Sequence, residues 1–227
     1  MQIKGKDASS IALGTAIYGA GIPEREAFTL IDRYIDLGGN TLDTARVYGE
    51  SESTIGKYLS SRKNRESLII ATKGAHYDLV TKEKRVSAKA IEDDIETSLK
   101  NLKTDYVDIY WLHRDDEDVP AGEIVEMTAP LISSGKALAL GVSNWKPERI
   151  AEANLYAEAH DLPKFHTSQI KHSAAVSVNE IDPTILALDN SSRRFYEGEE
   201  MPIFAFTSQA KGLFSKLEKL GEDGISE

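Results

Sequence analysis

Short apolar runs recur along this chain at intervals of about 30 residues, which is the length of one strand–helix unit. The stretches between them carry the spacing of amphipathic helices. Apolar strands that are each followed by a helix indicate a parallel sheet covered by helices. The pattern predicts seven strands, near Ile11–Gly14, Thr41–Asp43, Leu68–Lys73, Val107–His113, Ala137–Val142, Phe165–Gln169 and Ile203–Ala205.

The helices are predicted from apolar stripes and from residues that begin or end helices. The clearest covers Ser87–Leu102, with Ser87 as the expected N-cap. Another begins near Pro147, and a third, Glu24–Leu37, ends at Gly38-Gly39. The apolar positions predicted for the first two are Ile91, Ile95, Leu99, Leu102, Ile150, Ala153, Leu155 and Ala157.

Two architectures contain such a sheet: an open doubly wound sheet and a (β/α)8 barrel. A dinucleotide-binding open sheet carries G-x-G-x-x-G after its first strand, whereas this chain reads GTAIYGAGIPE from Gly14. Polar residues follow several different strands here, and barrel enzymes build their sites in this way at the carboxyl ends of their strands. The prediction is therefore an α/β fold, a (β/α)8 TIM barrel that forms a single domain over residues 1–227.

The sequence pattern gives seven strand–helix units, one fewer than a (β/α)8 barrel contains. After the seventh strand the chain continues with Lys216–Glu227, which contains two glycines and no apolar run. A closed barrel needs an eighth strand beside the first, and another strand–helix unit takes about 30 residues. We therefore expect seven of eight units, a C-terminally truncated barrel, and unpaired edges at the first and seventh strands. The polar stretch Asn190–Glu200 is interpreted as a surface loop.

The composition is that of an ordinary globular protein, with 41% hydrophobic and 28% charged residues. The net charge of −10 argues against a nucleic-acid partner, because phosphate binding needs a basic face. The chain has no cysteine for disulfides or thiolate catalysis, and no apolar run long enough to span a membrane. Its first residues, MQIKGKDASS, lack the apolar core of a secretory signal, so a cytoplasmic location is expected.

Four polar residues stand where predicted strands end. Asp43 and Tyr48 lie in NTLDTARVYGE, Lys73 is in SLIIATKG, and His113 ends DYVDIYWLH. Neighbouring parallel strands bring their carboxyl ends together, so we expect these side chains to converge. Alone, Asp43 is as readily a helix cap, Tyr48 a rim packing residue, and the lysine and histidine exposed surface residues.

In this order and spacing the four residues resemble the Asp-Tyr-Lys-His tetrad of the aldo-keto reductases, which are (β/α)8 barrels that reduce carbonyls with NADPH. The similarity extends from Ile11 to about Lys216 and includes LGTAIYG, DTARVYGESE, ATKG, YVDIYWLH and GVSNW. The resemblance implies an NAD(P)H-dependent oxidoreductase that reduces small aldehydes or ketones, with NADP(H) as the preferred cofactor.

The resemblance also implies separate roles for the four residues. Tyr48 is the expected general acid, and Lys73 and Asp43 are the groups that tune it. A phenol ordinarily has a pKa of about 10, and a nearby ammonium favours its ionised form. His113 is expected to orient the substrate oxygen, while the cofactor delivers the hydride.

A cofactor site follows from the same resemblance. The implied contacts to the nicotinamide end of the cofactor are Gly14, Thr15, Asp43, Ser143, Asn144 and Gln169. Capping of the helix near Pro147 is a second interpretation of the Ser143-Asn144 pair. Weaker candidates for stacking on the nicotinamide and for pyrophosphate contacts lie in AFTSQAKG: Phe206, Thr207, Ser208, Gln209 and Lys211.

The remaining candidates are weaker. Aromatic residues that are expected either at the substrate mouth or in rim packing are Tyr18, His76, Tyr77 and Trp145. The acidic run Asp115–Asp118 is interpreted as a solvated loop, and no metal site is predicted. Two alternatives to a working reductase stay open: a nicotinamide-binding regulatory barrel with little turnover, and an inactive truncated form.

Overall fold

A parallel sheet of seven strands, joined in chain order, forms the centre of the molecule. The computed structural model describes residues 1–3, 5–175 and 182–220. A short antiparallel hairpin precedes the sheet. The strands are β1 (Gln2–Ile3) and β2 (Lys6–Asp7) in the hairpin, then β3 (Leu13–Gly14), β4 (Thr41–Asp43), β5 (Ile69–Gly74), β6 (Val107–Leu112), β7 (Ala137–Ser143), β8 (Phe165–Lys171) and β9 (Ile203–Phe206) in the sheet.

Helices follow the strands of the sheet, as the alternation in the sequence predicts. All seven predicted strands are present, with bounds that differ by no more than two residues. Within the described ranges, no helix is both long enough and apolar enough to cross a membrane. The helices are α1 (Glu24–Asp36), α2 (Ser51–Arg62), α3 (Ala88–Leu102), α4 (Ala121–Ser133), α5 (Pro147–Ala159), α6 (Asn190–Gly198) and α7 (Leu213–Leu220).

The two faces of the sheet carry separate apolar clusters, because successive strand residues point to opposite sides. Ile70, Tyr110 and Leu112 belong to the large cluster that the helices cover. The smaller cluster on the inner side contains Ile3, Ile69, Ala71, Ile109 and Trp111. Full burial of such side chains contributes about 1.5–3 kcal/mol each, so the doubly buried middle strands are the most strongly held part of the fold.

The hairpin β1–β2 is not predicted by the sequence. Each of its strands has two residues, which is too short for an apolar periodicity to be seen. Its position depends on distant partners: Lys6 forms an ion pair with the buried Asp108 at 2.7 Å and donates a hydrogen bond to the Leu68 carbonyl at 2.6 Å. With Ile3 in the inner cluster, the hairpin covers the amino-terminal end of the sheet.

The predicted helix ends are confirmed, with one correction inside α5. Ser87 caps α3 and accepts a hydrogen bond from the Ala90 amide at 3.2 Å. Gly38, with a φ of +89°, follows the end of α1. Leu155 was wrongly predicted on the apolar stripe of α5, since it is 68% exposed. The helix buries Ile150, Ala153 and Ala157 instead.

The prediction of a surface loop over Asn190–Glu200 is wrong, because α6 occupies most of this stretch. Asp189 begins the helix with a capping box: it accepts a hydrogen bond from the Ser192 amide at 2.7 Å, and Ser192 accepts one from the Asp189 amide at 2.9 Å. Tyr196 is buried and its hydroxyl lies 3.0 Å from that of Ser168 on β8. A local cap and one distant anchor thus order a segment of polar composition.

The sheet is open between β3 and β9, which are its two outer strands and are not paired with each other. The described residues therefore form seven units of a (β/α)8 barrel, as predicted. Near the open edge Ile203 is 37% and Phe214 48% exposed, and α7 has no buried residue. The start of the predicted tail Lys216–Glu227 belongs to α7, whereas residues 221–227 lie outside the described residues.

Candidate active site

The register of three neighbouring strands brings the predicted tetrad to one end of the sheet. Asp43 ends β4 and pairs with Ala71 of β5, which lies two residues before Lys73. Lys73 in turn pairs with Trp111 of β6, and His113 follows that strand directly. Because all three strands are parallel, these residues lie at the carboxyl edge of the sheet.

Lys73 and Asp43 form a buried ion pair at the centre of the site. The Lys73 ammonium lies 2.9 Å from each carboxylate oxygen of Asp43 and donates to the Thr44 carbonyl at 2.6 Å. Lys73 is 1% exposed. Burial works to lower the pKa of Lys73, but the charge of Asp43 and the hydrogen bonds to Asp43 and Tyr48 outweigh it and raise that pKa. The lysine is therefore held as a cation.

Tyr48 lies on the loop between β4 and α2, three residues before the helix begins at Ser51. Its amide donates to the Ala45 carbonyl, and its own carbonyl accepts from the Ser51 amide, both at 3.0 Å. The Lys73 ammonium lies 5.0 Å from the centre of the Tyr48 ring. The phenol is thus fixed by its backbone beside a permanent positive charge.

The imidazole ring of His113 packs edge-on against two other rings. Its ring centre lies 5.7 Å from that of Tyr48 and 4.6 Å from that of His76. Burial, followed by the electrostatic effects of Lys73, His76 and Arg114, holds the pKa of His113 well below its usual range. Its Nδ1 atom is buried and lacks a hydrogen-bond partner among the described residues. The ring can therefore donate a hydrogen bond without carrying a charge.

Two residues before α6, Asp182 and Thr184, form hydrogen bonds to the loops after β5 and β6 and are called the strap here. Arg114 donates to the His113 carbonyl at 2.8 Å, to Thr184 at 2.7 Å and to Asp182 at 3.2 Å. The same Asp182 oxygen accepts from the Tyr77 hydroxyl at 2.9 Å. The strap, made of Asp182 and Thr184, therefore connects the residue after His113 to the loop after β5.

The acidic run after His113 is not the solvated loop that its composition indicates. Asp115 pairs with Arg149 of α5 at 3.2 Å. Asp116 is 8% exposed and pairs with Lys84 at 2.7 Å. Only the later part of Asp115–Asp118 is open to solvent, so the first two aspartates serve to anchor the loop.

Two buried carboxylates support β5 and were not singled out from the sequence. Glu52 of α2 accepts from Thr72 at 2.7 Å and from Asn101 of α3 at 3.2 Å, which ties both helices to the residue before Lys73. Asp94 of α3 accepts from the Ala75 amide at 2.9 Å and binds Arg85 through two hydrogen bonds. The only sequence signal for Glu52 is its place at the end of DTARVYGESE.

The predicted carboxamide-binding residues lie at the ends of β7 and β8. Gln169 donates from its side-chain nitrogen to Asp43 at 3.1 Å, which links β8 to the tetrad. Asn144 has a φ of +60°, donates to the Ser143 hydroxyl at 3.0 Å, and accepts from the Leu186 amide at 3.2 Å. Lys146 is the N-cap of α5 and makes no side-chain capping bond, so the second interpretation of Ser143-Asn144, as a helix cap, is wrong.

Three predicted contact residues are buried in the packing of the protein. Thr15 is fully buried, donates to the Asp43 carbonyl at 2.8 Å and lies 2.8 Å from the Ser51 hydroxyl. Tyr18 and Trp145 belong to the large apolar cluster and are 2% and 0% exposed. Their burial does not fit direct contact with a ligand at an open mouth. Thr15 instead fixes the strand that carries Asp43, and Gly14 pairs with Asp43 in the sheet.

The last group of predicted residues lies on β9 and the turn that follows it. Phe206 and Thr207 are half-buried, whereas the side chains of Ser208, Gln209 and Lys211 are exposed. This strand pairs with β8, so the group lies one strand beyond Gln169. The backbone of His172 is hydrogen-bonded to this group, since its amide donates to the Phe206 carbonyl at 3.2 Å.

A cavity of about 470 Å³ opens beside the tetrad. Its wall includes Lys73, His76 and Tyr77, and the two aromatic rings lie 4.2 Å apart. The predicted rim residues His76 and Tyr77 therefore border open space. His76 is 8% exposed, and its ring nitrogen Nδ1 donates to the Tyr77 carbonyl at 2.8 Å. Among the described residues, no group of three His, Cys, Asp or Glu could hold a metal ion.

Known proteins resemble this chain in sequence along most of its length. Norsolorinic acid reductase stcV of Emericella nidulans is 30% identical over 238 aligned positions, which cover 98% of this chain and 59% of that protein. The aryl-alcohol dehydrogenase [NADP(+)] of Phanerodontia chrysosporium is 34% identical, covering 62% of this chain and 40% of that protein. Aldo-keto reductase YhdN of Bacillus subtilis is also 34% identical, covering 70% of this chain and 50% of that protein. The chain thus spans about half the length of these relatives.

A solved structure also resembles this chain in its fold. The crystal structure of a protein named as a 2,5-diketo-D-gluconic acid reductase B superposes with a TM-score of 0.71 at 20% identity, and covers 92% of this chain and 65% of that one. The family model described as the Aldo/keto reductase family matches residues 10–226. Since this match takes in nearly the whole chain, including all four residues that converge at the carboxyl edge of the sheet, the chain belongs to the aldo/keto reductase family.

Proposed function

We propose that this protein reduces aldehydes or ketones to alcohols with NAD(P)H, and that Tyr48 donates the proton. The observation that carries the proposal is the buried Lys73–Asp43 ion pair beside the Tyr48 ring, with a neutral His113 against the same ring. A phenol gives up its proton near neutral pH only where a nearby cation stabilises the phenolate. This arrangement supplies that cation.

The proposed reaction adds a hydride to the carbonyl carbon and a proton to the oxygen. A reduced nicotinamide, when bound, supplies the hydride. The Tyr48 hydroxyl transfers its proton to the oxygen, and the Lys73 ammonium stabilises the phenolate that remains. Asp43 holds Lys73 charged and in place through both of its carboxylate oxygens.

His113 orients the substrate oxygen in this proposal. Its low pKa, caused first by burial, keeps the imidazole neutral at physiological pH. A neutral ring donates a hydrogen bond from one nitrogen and does not compete with Tyr48 as a proton donor. Arg114 fixes the backbone of His113 through the carbonyl oxygen.

We assign the nicotinamide carboxamide to Ser143, Asn144 and Gln169. Their hydroxyl and amide groups are chemically suited to a carboxamide, and Gln169 already contacts Asp43. Phe206 and Thr207 stay candidates for the nicotinamide face and the pyrophosphate. The preference for NADP(H) rests on the family resemblance and on the name of one relative, the aryl-alcohol dehydrogenase [NADP(+)].

The test is a turnover assay on the full-length protein. NADPH or NADH is mixed with a panel of aldehydes and ketones, and the loss of reduced-nicotinamide absorbance is followed. We expect Tyr48→Phe to lower kcat by at least about 100-fold with little change in cofactor affinity. Tyr156→Phe is the matched control, because that hydroxyl contacts Glu126 on the surface.

Two outcomes would contradict the proposal in different ways. Turnover at the wild-type rate in the Tyr48→Phe variant would refute Tyr48 as the proton donor. Tight binding of reduced nicotinamide without turnover of any carbonyl would instead favour the regulatory barrel.

A further inference from the structure

We propose that Arg46 forms a carboxylate-binding subsite beside the tetrad, so that the substrates are aromatic aldehydes or ketones that carry a carboxylate. This inference rests on the proposed function and narrows its substrate class. Arg46 lines the cavity of about 470 Å³ together with Lys73 and His76. Its amide donates to the Lys73 carbonyl at 2.9 Å, so its backbone is fixed at the tetrad.

Within the part of the chain that the structure describes, Arg46 lacks the carboxylate partner that comparable arginines have. The side chain is half-buried, and its Nε atom is buried with no hydrogen-bond partner in the described part of the chain. The other arginines in the described residues that are not exposed each pair with an aspartate: Arg65, Arg85, Arg114 and Arg149. The chain has 37 acidic and 27 basic residues, so carboxylates are plentiful. The guanidinium of Arg46 at the cavity wall is therefore free to bind the carboxylate of a ligand.

The other two cations of this cavity, Lys73 and Arg85, are already paired with carboxylates. Arg85 is bound by Asp94 through two hydrogen bonds. Lys73 is bound by Asp43. Asp78 is a half-buried carboxylate in the same lining and accepts hydrogen bonds from two amides of its own turn. Among the described residues, Arg46 is thus the cation of this cavity that has no carboxylate partner.

The shape and lining of the cavity indicate what carries that anion. Its volume lies in the range of small-molecule sites, about 300–1,000 Å³. The rings of His76 and Tyr77 form one wall, and Val47 and Leu79 add apolar surface. The cavity is connected to the tetrad through Lys73, which lines it, and through His76, whose ring contacts that of His113. A flat ring with a carboxylate at one position and a carbonyl at another fits these features, because a guanidinium binds a carboxylate through two parallel hydrogen bonds.

The turnover arm of the test compares 4-carboxybenzaldehyde with its neutral methyl ester on the full-length protein. We expect the acid to have the lower KM in the wild type. Arg46→Gln should raise the KM of the acid by about 10- to 100-fold and leave that of the ester unchanged. Arg46→Lys should give an intermediate KM for the acid, since lysine keeps the positive charge but cannot form the two parallel hydrogen bonds of a guanidinium. Arg25→Gln, at an exposed position on α1, controls for the change in net charge.

The binding arm does not depend on turnover. Calorimetric titration measures 4-methylbenzoate and the neutral 4-methylbenzamide on the wild type, Arg46→Gln and Arg25→Gln. The inference requires that the benzoate binds the wild type more tightly than the amide does, and that only Arg46→Gln removes the difference. Equal affinities of benzoate and amide would overturn it. Displacement of the benzoate by inorganic phosphate at equal concentration would also overturn it, because the site would then be a general anion site.

The two arms separate this inference from the proposed function. If no carbonyl compound is turned over while benzoate binds through Arg46, carbonyl reduction is rejected and the subsite stands. If both aldehydes are reduced with equal KM values and Arg46→Gln changes neither, the subsite is rejected and the reductase stands.

Discussion

Gln169 donates a hydrogen bond to Asp43 at 3.1 Å, and the carboxylate oxygen that accepts it also accepts one from Lys73. A residue of β8 that is proposed to bind the cofactor is therefore joined, through one oxygen atom, to the lysine beside the proposed proton donor. The proposed cofactor-binding residues and the proposed proton-transfer residues thus share the Asp43 carboxylate. A substitution of Gln169 should therefore also change the rate of proton transfer.

The first prediction concerns this shared oxygen. Gln169→Ala should weaken cofactor binding about tenfold by removing a carboxamide contact, and lower kcat by a few-fold because Asp43 loses a neighbour that orients it. Cofactor titration and steady-state turnover measure the two effects. Asn190→Ala, an exposed amide on α6, is the control. A variant with weaker cofactor binding and an unchanged kcat would show that the link to Asp43 plays no part in catalysis.

The second prediction concerns the buried ion pair. Lys73→Met should lower the free energy of unfolding by about 3 kcal/mol, because it leaves the Asp43 carboxylate without its cation. The double variant Asp43→Asn/Lys73→Met should recover much of that stability, since no unpaired charge remains, while turnover stays abolished. Urea unfolding and turnover are measured on both proteins. Equal losses of stability in the single and double variants would contradict an interaction between the two charges.

The third prediction concerns pH. The folded-state pKa of His113 lies well below its unfolded value of about 6.5, first because of burial. As the pH falls below 6.5, the unfolded chain binds a proton that the folded site resists, so the stability associated with neutral His113 is lost. The loss between pH 7.5 and 5.5 should be about 1 kcal/mol smaller in His113→Gln than in the wild type. Identical losses in urea unfolding at the two pH values would show that the ring titrates alike in both states.

The sequence predicts the strands well because each is an apolar run that ends at a change of composition. It does not predict β1–β2, whose position depends on the pairing of Lys6 with Asp108, about a hundred residues away along the chain. It also mistakes α6 for a loop, because polar residues dominate NSSRRFYEG and the helix depends on a cap and on the burial of Tyr196. Local patterns thus define the strands, whereas distant contacts decide the segments that lack a pattern.

The site divides in the same way. Convergence of the tetrad follows from parallel strands, so it is predictable from the positions of strand ends. The buried positions of Glu52 and Asp94, which support β5, are not predictable in this way. No sequence pattern distinguishes a buried acidic residue of a helix from an exposed one. That Arg46 has no partner among the described residues is likewise a property of three-dimensional packing.

The fourth prediction concerns the strap of Asp182 and Thr184. Asp182→Ala removes the acceptor shared by Arg114 and Tyr77, so the cavity wall should loosen. We expect the KM for aromatic aldehydes to rise about tenfold, with a smaller change in kcat, because the tetrad keeps its own hydrogen bonds. Asp161→Ala, at an exposed position after α5, is the control. A fall in kcat with no change in KM would assign the strap to His113 rather than to the cavity wall.

The fifth prediction tests α6, the element that composition assigns to a loop. Asp189→Ala removes the capping box and should lower the free energy of unfolding by about 1 kcal/mol. Tyr196→Phe should lower it by a similar amount, because the buried Ser168 hydroxyl loses its partner. Urea midpoints with unchanged m-values measure both effects, and Asp36→Ala at the exposed end of α1 is the comparison. In an irregular surface loop both substitutions would fall within about 0.5 kcal/mol of the wild type, so the two interpretations of this stretch give clearly different stabilities.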